Sequence, residues 1–411
     1  MSTVTTARPS AALRPSAVAL LLVSAAIILS ISMGIRQSLG LFLRPMNLEL
    51  GVSASAFGFA LALQNIVWGF SQPFVGMIGD RWGPRPVLAG SALVYAAGLV
   101  LMSAGGTVLG LGVGGGVLVG LGVAGSSFGV LLGAVSRAVR PERRSQTVGM
   151  VAGAGSLATL VLAPAGQSLI DLYGWRSALL VFAAVALAMT VLAAGVGRGA
   201  ADAPDVAAGR AEPMASVVRA ALAHPGFLAM TIAFFACGFQ LMFITTHLPT
   251  YLALCGVPPT AGATALGLIG LGNAVGSMVI GLLGARFSQK RLLALIYLLR
   301  TVAIATYLAV PVSVTSTLVF AATMGFLWLS VAPLVSGLVG RLFGFSCFNT
   351  LYGIVFFSHQ VGSFLGAWAG GLTFDWTGSY ATAWGSLLAV GTAAFLVQWA
   401  MDDRTPAERA R

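Results

Sequence analysis

The chain has 411 residues, 58% of them apolar and only 8% charged, with a mean hydropathy of +0.94; soluble domains carry about 25% charged residues, so a soluble fold is excluded. The formal charge of +11 would suggest a polyanionic partner if it lay on a soluble surface. Here the basic residues fall in the connections between apolar runs, which removes nucleic acid as a partner.

In chain order, Arg8 and Arg14 precede an apolar run from Ser16 to about Leu43. That run is too long for a cleaved signal, whose apolar region spans roughly 7–15 residues, so it reads as a first membrane helix. A crossing takes about 20 apolar residues. Further runs fall at 53–78, 86–105, 107–135, 146–170, 176–197, 227–252, 261–284, 291–309, 313–340, 347–372 and 380–401. The expected fold is therefore an all-α integral membrane protein of twelve transmembrane helices. A polar connection over 198–226, rich in Ala, Gly, Asp and Pro, divides a six-helix bundle at 16–197 from a second at 227–402, with tails at 1–15 and 403–411. With the N-terminus in the cytoplasm, every basic residue outside the spans except Arg44 and Arg176 falls on the inner side, as the positive-inside rule requires. Both termini are then cytoplasmic, and the expectation is a monomeric, multi-pass protein of the cell inner membrane.

The two bundles repeat one another. Gly76-Met-Ile-Gly-Asp80-Arg81-Trp-Gly83-Pro-Arg85 returns as Gly281-Leu-Leu-Gly-Ala285-Arg286-Phe-Ser-Gln-Lys290-Arg291, 205 residues later, and Gly149, Gly166, Asp171 and Gly174 return as Gly353, Gly370, Asp375 and Gly378, 204 residues later. Such repeats relate the halves of many transporters by a pseudo-twofold axis. The segment from Gly76 to Arg85 also resembles the loop motif of the major facilitator superfamily, GxxxDRxGRR, which Gly76, Asp80, Arg81, Gly83 and Arg85 match while Pro84 displaces one basic residue. The resemblance implies two pseudo-symmetric six-helix bundles and a conformational latch in which Asp80 accepts from helix N-termini and nearby arginines. In the second copy Ala285 replaces the acid and leaves Arg286. Ser32–Gly40, Thr246–Pro249 and Ser358–Ser363 further resemble bacterial relatives of the monocarboxylate and oxalate/formate carriers. That group places a substrate arginine in helix 8, where this chain has Asn273 and Ser277; its arginine is Arg300, in helix 9.

A charge in mid-membrane costs roughly 2.5–3.5 kcal/mol on insertion scales, so each one there is a functional candidate. Arg36 lies eight residues before Arg44, Arg300 nine after Arg291, and His359 twelve after Cys347. At 1.5 Å per residue these are depths of roughly 12, 13 and 18 Å, near the middle of a core about 30 Å thick. All eleven acidic residues lie in loops or at helix ends. Two arginines and an imidazole without a membrane carboxylate suit an anionic cargo. Arg36 either lines the cavity or snorkels outward; Arg300 either binds cargo or ties helix 9 to backbone carbonyls. His359 either handles substrate and protons or makes an interhelical hydrogen bond. His247 is expected near the interface and His224 in solvent.

Further candidates for the lining are Gln64, Asn65, Trp68, Ser126, Ser127, Gln240, Asn273, Trp328 and Gln360, each of which could equally be helix–helix glue. The glycine run from Gly110 in helix 4 lacks the GK[ST] ending of a phosphate loop, so close packing or bending is its expected role. Cys237, Cys255 and Cys347 share no CxxC or metal-ligand spacing, and no cofactor is implied. His359 has no acid or cysteine close by in sequence that would make a catalytic pair. The expected function is secondary transport of a small organic anion, a monocarboxylate, coupled to protons or a counter-anion. The alternative is proton-driven efflux of a neutral or amphiphilic drug, with Phe234, Phe235, Phe239 and Met242 as its walls.

Overall fold

Lipid offers the backbone no hydrogen bonds, so each apolar run must satisfy its own as a helix. The computed structural model describes residues 15–104, 108–138, 141–196, 214–284, 286–343, 348–405 and 408, and these are helical apart from short turns. We number the membrane helices α1 to α12. In the first half, α1 (Pro15–Ser38) continues through a 3-10 turn (Leu39–Phe42) into a short helix (Leu43–Leu50). It is followed by α2 (Ala54–Trp82) and α3 (Pro84–Ala104). Helix α4 is assembled from Val108–Leu111, a π-helical stretch Gly112–Leu118, Val119–Ser126 and Phe128–Ala138. Helices α5 and α6 share Pro141–Ala193 and part at Gly174. The second half holds α7 (Pro225–Leu254), α8 (Pro259–Gly284) and α9 (Gln289–Ala309). Helix α10 comes in two pieces (Val314–Trp328 and Val331–Phe343), then α11 (Phe348–Thr377) and α12 (Ala381–Trp399). Ten described stretches are long and apolar enough to cross a bilayer; α5 and α6 count there as one, and α11, with 30 residues, is long enough as well.

The looplike motif is a helix junction. Helix α2 stops because Gly83 takes φ 84°, a conformation other residues rarely adopt, and α3 starts at once on Pro84, whose missing N–H is no loss in a first turn. Arg85 Nε donates to Val196 O at 2.6 Å and ties α3 to the end of α6. The polar connection carries a short helix, Met214–Ala223. His224 does not dissolve into that connection as expected. It is 4% exposed and caps α7, Nδ1 accepting from Phe227 N–H at 3.3 Å while Nε2 bonds Arg404 O at 3.0 Å.

These contacts define one end of the molecule, which gathers the α2–α3 junction, the start of α7 and the segment after α12; Lys290 and Arg341 meet Asp403 there. At the opposite, far end Glu49 accepts from Trp175 and Arg176 across the α5–α6 turn. The halves meet along two seams, α2 with α11 and α5 with α8. Toward the far end the two halves pack tightly: Gly40 after α1 abuts the carbonyl of Thr245 in α7, and along the α2–α11 seam Gly58 abuts that of Ala367 and Gly371 that of Ala54. The backbone N–H groups of Ala54 and Ser55 donate to Asp375 at 3.1 and 2.9 Å, so the opposite half caps α2. One apolar core runs through both halves there, with Phe42 and Met46 alongside Leu241, Leu248 and Leu252. Nearer the termini the second half keeps a separate core around Phe227, Tyr297 and Leu334, and a Cβ added at Gly76 or Gly353 would meet open space. Among the described residues the molecule is closed at the far end and parts toward the end that bears its termini.

Candidate functional site

The polar side chains of the mid-membrane layer have few choices: a buried donor or acceptor without a partner costs about 1–3 kcal/mol. Most find partners inside their own half. Gln64 Nε2 donates to Gly115 O in the π-helical part of α4, at 3.0 Å. Gln240 turns toward α12 and donates to Leu387 O at 3.2 Å, so it braces α7 from behind. Ser126 and Ser32 share a hydrogen bond of 2.8 Å between α4 and α1, and Tyr95 O–H donates to Ser32 O. The glycine run of α4 packs closely: Gly114 lies on Gly98 of α3 and Gly116 on Ala60 of α2.

Arg300 is 2% exposed. Its Nε donates to Leu327 O at 3.1 Å, and Nη2 to Leu327 O at 2.7 Å and to Trp328 O. Those carbonyls are the C-terminal ones of the first piece of α10, which have no helical donor; a cation there also meets the negative end of the helix dipole. Across the break, Leu329 N–H donates to Asn273 Oδ1 at 2.7 Å. Arg300, Asn273 and the Trp328 backbone thus hold one discontinuity of α10 together. The Cys237 thiol lies buried within reach of both Arg300 and His359.

Arg36 is placed differently. Its Nη2 donates to Asn65 Oδ1 at 2.5 Å and to Met242 Sδ of the opposite half at 3.3 Å. The guanidinium lies 4.8 Å from the centre of the Trp68 ring, a cation–π geometry, and its Nε has no partner. Trp68 Nε1 donates to Ser127 Oγ at 3.1 Å, where α4 breaks, and its ring meets Phe356 of α11 edge-on at 5.6 Å. Among the described residues neither Arg36 nor Arg300 forms an ion pair; those pairs lie at the two ends of the molecule.

His359 is 7% exposed between Phe234, 5.0 Å away, and Phe356, stacked at 5.8 Å. Its Nδ1 lies 3.2 Å from Gln360 Oε1 and 3.4 Å from Ser363 Oγ. Gln360 Nε2 in turn donates to Asn65 O across the α2–α11 seam at 3.0 Å. Arg36, Asn65, Gln360 and His359 therefore form one polar string that crosses from the first half to the second.

His247 is not interfacial. It is fully buried, with Nε2 2.7 Å from Ala367 O and Nδ1 3.1 Å from the Tyr380 hydroxyl, since α7 runs on to Leu254 and covers it. The remaining motif residues lie at the other end. Arg81 stacks on Trp82 of its own helix and Arg286 is exposed; the side chain of Asp80 lies outside the described residues. The string through Gln360 and the sulfur contact of Met242 were not foreseeable from sequence, because both depend on which residues face each other across the seam.

The family profile described as Major Facilitator Superfamily matches residues 22–367. The chain is 26% identical over 372 residues to monocarboxylate transporter 13 of Rattus norvegicus, covering 88% of this chain and 84% of that one. It is 29% identical over 382 residues to monocarboxylate transporter 11 of Homo sapiens, covering 89% and 79%. Over 162 residues it is 28% identical to the oxalate:formate antiporter of Oxalobacter formigenes, covering 37% and 36%.

Proposed function

The chain belongs to the Major Facilitator Superfamily, and on that premise we propose that it carries a small organic anion, a monocarboxylate, by alternating access, with Arg36 as the anion's principal ligand. The carrying observation is the state of Arg36: a mid-membrane cation at the junction of the halves, without a carboxylate partner and with Nε unsatisfied. A planar guanidinium with unused donors matches a carboxylate in bidentate fashion. Trp68 and Asn65 hold it in place, and Met242 brings the second half against it. The names of the full-length relatives, monocarboxylate transporters 13 and 11, support the same cargo class.

His359 is the proposed proton site. Imidazole is the side chain that changes charge between about pH 5 and 8, and the string through Gln360 joins it to Arg36. A proton and a monocarboxylate entering together are electroneutral, so inward flux rises as external pH falls. Arg300 serves as the cap of α10. The end bearing the termini is assigned to the cytoplasm of a bacterial-type inner membrane by its excess of basic residues, and the working unit is a monomer; a topology map with residue 205 outside the cell would overturn that orientation. Uptake of radiolabelled lactate, pyruvate, formate and oxalate, run beside dye efflux, tests the cargo. Saturable uptake of one of the acids is expected, and dye efflux without any acid uptake would overturn the reading.

A further inference from the structure

Gln360 occupies a position that neither cargo nor proton transfer by itself requires. A backbone carbonyl can only accept, so the bond to Asn65 O at 3.0 Å requires the amide nitrogen of Gln360 on the α2 side. The amide oxygen is thereby turned to His359 Nδ1, 3.2 Å away, and an amide oxygen can also only accept. Nδ1 must then carry the hydrogen. Ser363 Oγ, 3.4 Å from the same nitrogen, is a hydroxyl that rotates to suit either arrangement. A backbone carbonyl on one half thus sets which nitrogen of an imidazole on the other half is basic.

The approach is tight. A Cβ at Gly69 would lie 3.0 Å from Gln360 Cγ, so a side chain there would press the Gln360 stem away by a few tenths of an ångström. An opening of the seam between α2 and α11 would withdraw Asn65 O from the amide. The titratable group that reaches His359 from another element is Cys237 on α7, with Arg300 and Tyr297 on α9 and Tyr352 on α11 itself beside that thiol. α2 contributes to the pair only the uncharged Asn65.

We infer that Gln360 is a positioning residue that couples His359 to the contact between the halves: seated on Asn65 O, it holds His359 as the Nδ1–H tautomer and reserves Nε2 for the incoming proton. The inference rests on the reading of His359 as the proton site, and the experiment separates the two. The full chain is labelled with 15N-histidine, placed in phospholipid nanodiscs above pH 8, and the His359 signal is identified by its loss in H359Q. The wild type is expected to show the Nδ1–H pattern. Q360L, and independently G69A, should show the Nε2–H form as a new signal. In proteoliposomes Q360L should lose most of the proton-driven accumulation of labelled lactate while keeping lactate–lactate exchange. An Nε2–H wild type, or a tautomer unchanged in both Q360L and G69A, would overturn the inference. An Nδ1–H wild type together with undiminished accumulation by H359Q would leave the positioning role standing and remove the proton role.

Discussion

Arg36 and Arg300 are the same residue at similar depth in the two halves, yet the structure uses them in opposite ways. Arg300 gives Nε and Nη2 to carbonyls left bare by a break in α10. Arg36 spends one nitrogen on a side-chain amide and a thioether, rests on an indole face, and leaves Nε unpaired. A membrane arginine with backbone partners completes the fold, and one with side-chain partners and an orphan donor is available to a ligand. The lesson is that depth marks a charge as costly, while its partners decide what it is for.

The largest effect that would break this comparison is in the two alanine variants. Arg36→Ala should reduce organic-anion uptake about a hundredfold or more at normal abundance. Arg300→Ala should lower thermal stability in detergent by roughly 2–4 kcal/mol, the cost of stranded carbonyls, while the folded fraction still transports. A stable Arg300→Ala with no flux would reverse the assignment. Next, His359→Gln should abolish accumulation against a gradient and the rise of uptake at low external pH, with anion exchange retained. Unchanged pH dependence would remove the coupling role.

Arg36→Lys keeps the charge and loses the planar fork, so half-saturation should rise about tenfold, equivalent to about 1.4 kcal/mol, with abundance unchanged. At the far end, Asp375→Asn weakens the cap on α2 by about 0.5–1 kcal/mol. Spin labels at positions 48 and 254, both exposed and on opposite halves, should then show a larger long-distance population; identical distributions would mean the cap carries no bias. The smallest expected effect is Asp80→Asn at the other end, read as slower cycling at normal abundance.

The helices were legible because lipid permits the backbone little else. The proposed site is legible where it consists of unmatched charge, as at Arg36 and His359. It was illegible where the partner was backbone. The break at Leu329–Ser330 lies one turn before Pro333, which has no N–H to give Leu329 O, but nothing in the sequence says that Arg300 takes the carbonyls bared beside it. His247 was misplaced because its partners, Tyr380 and Ala367, lie far along the chain. His224 carried a readable signal, a polar side chain directly before Pro225, which is an N-cap followed by a first-turn proline.

The repeat pairs Asp375 with Asp171, but only Asp375 finds free N–H groups on the helix it faces. Asp171 accepts from Gln167 on its own helix, in a cleft of about 170 Å³ shared with Arg44 and with Pro259, which opens α8 without an N–H. One far-end seam is therefore clasped and its counterpart is not, and under the proposed alternating access a clasp broken as the far end opens would set the two orientations apart in energy before any cargo arrives. If that difference amounts to about 1.4 kcal/mol, only about a tenth of the molecules await cargo from the far side, and the apparent affinity measured from that side falls by the same factor even if the proposed cradle around Arg36 is intrinsically identical. A half-saturation constant that depends on the side from which cargo is offered would thus be a property of Asp375, some distance from anything the cargo touches.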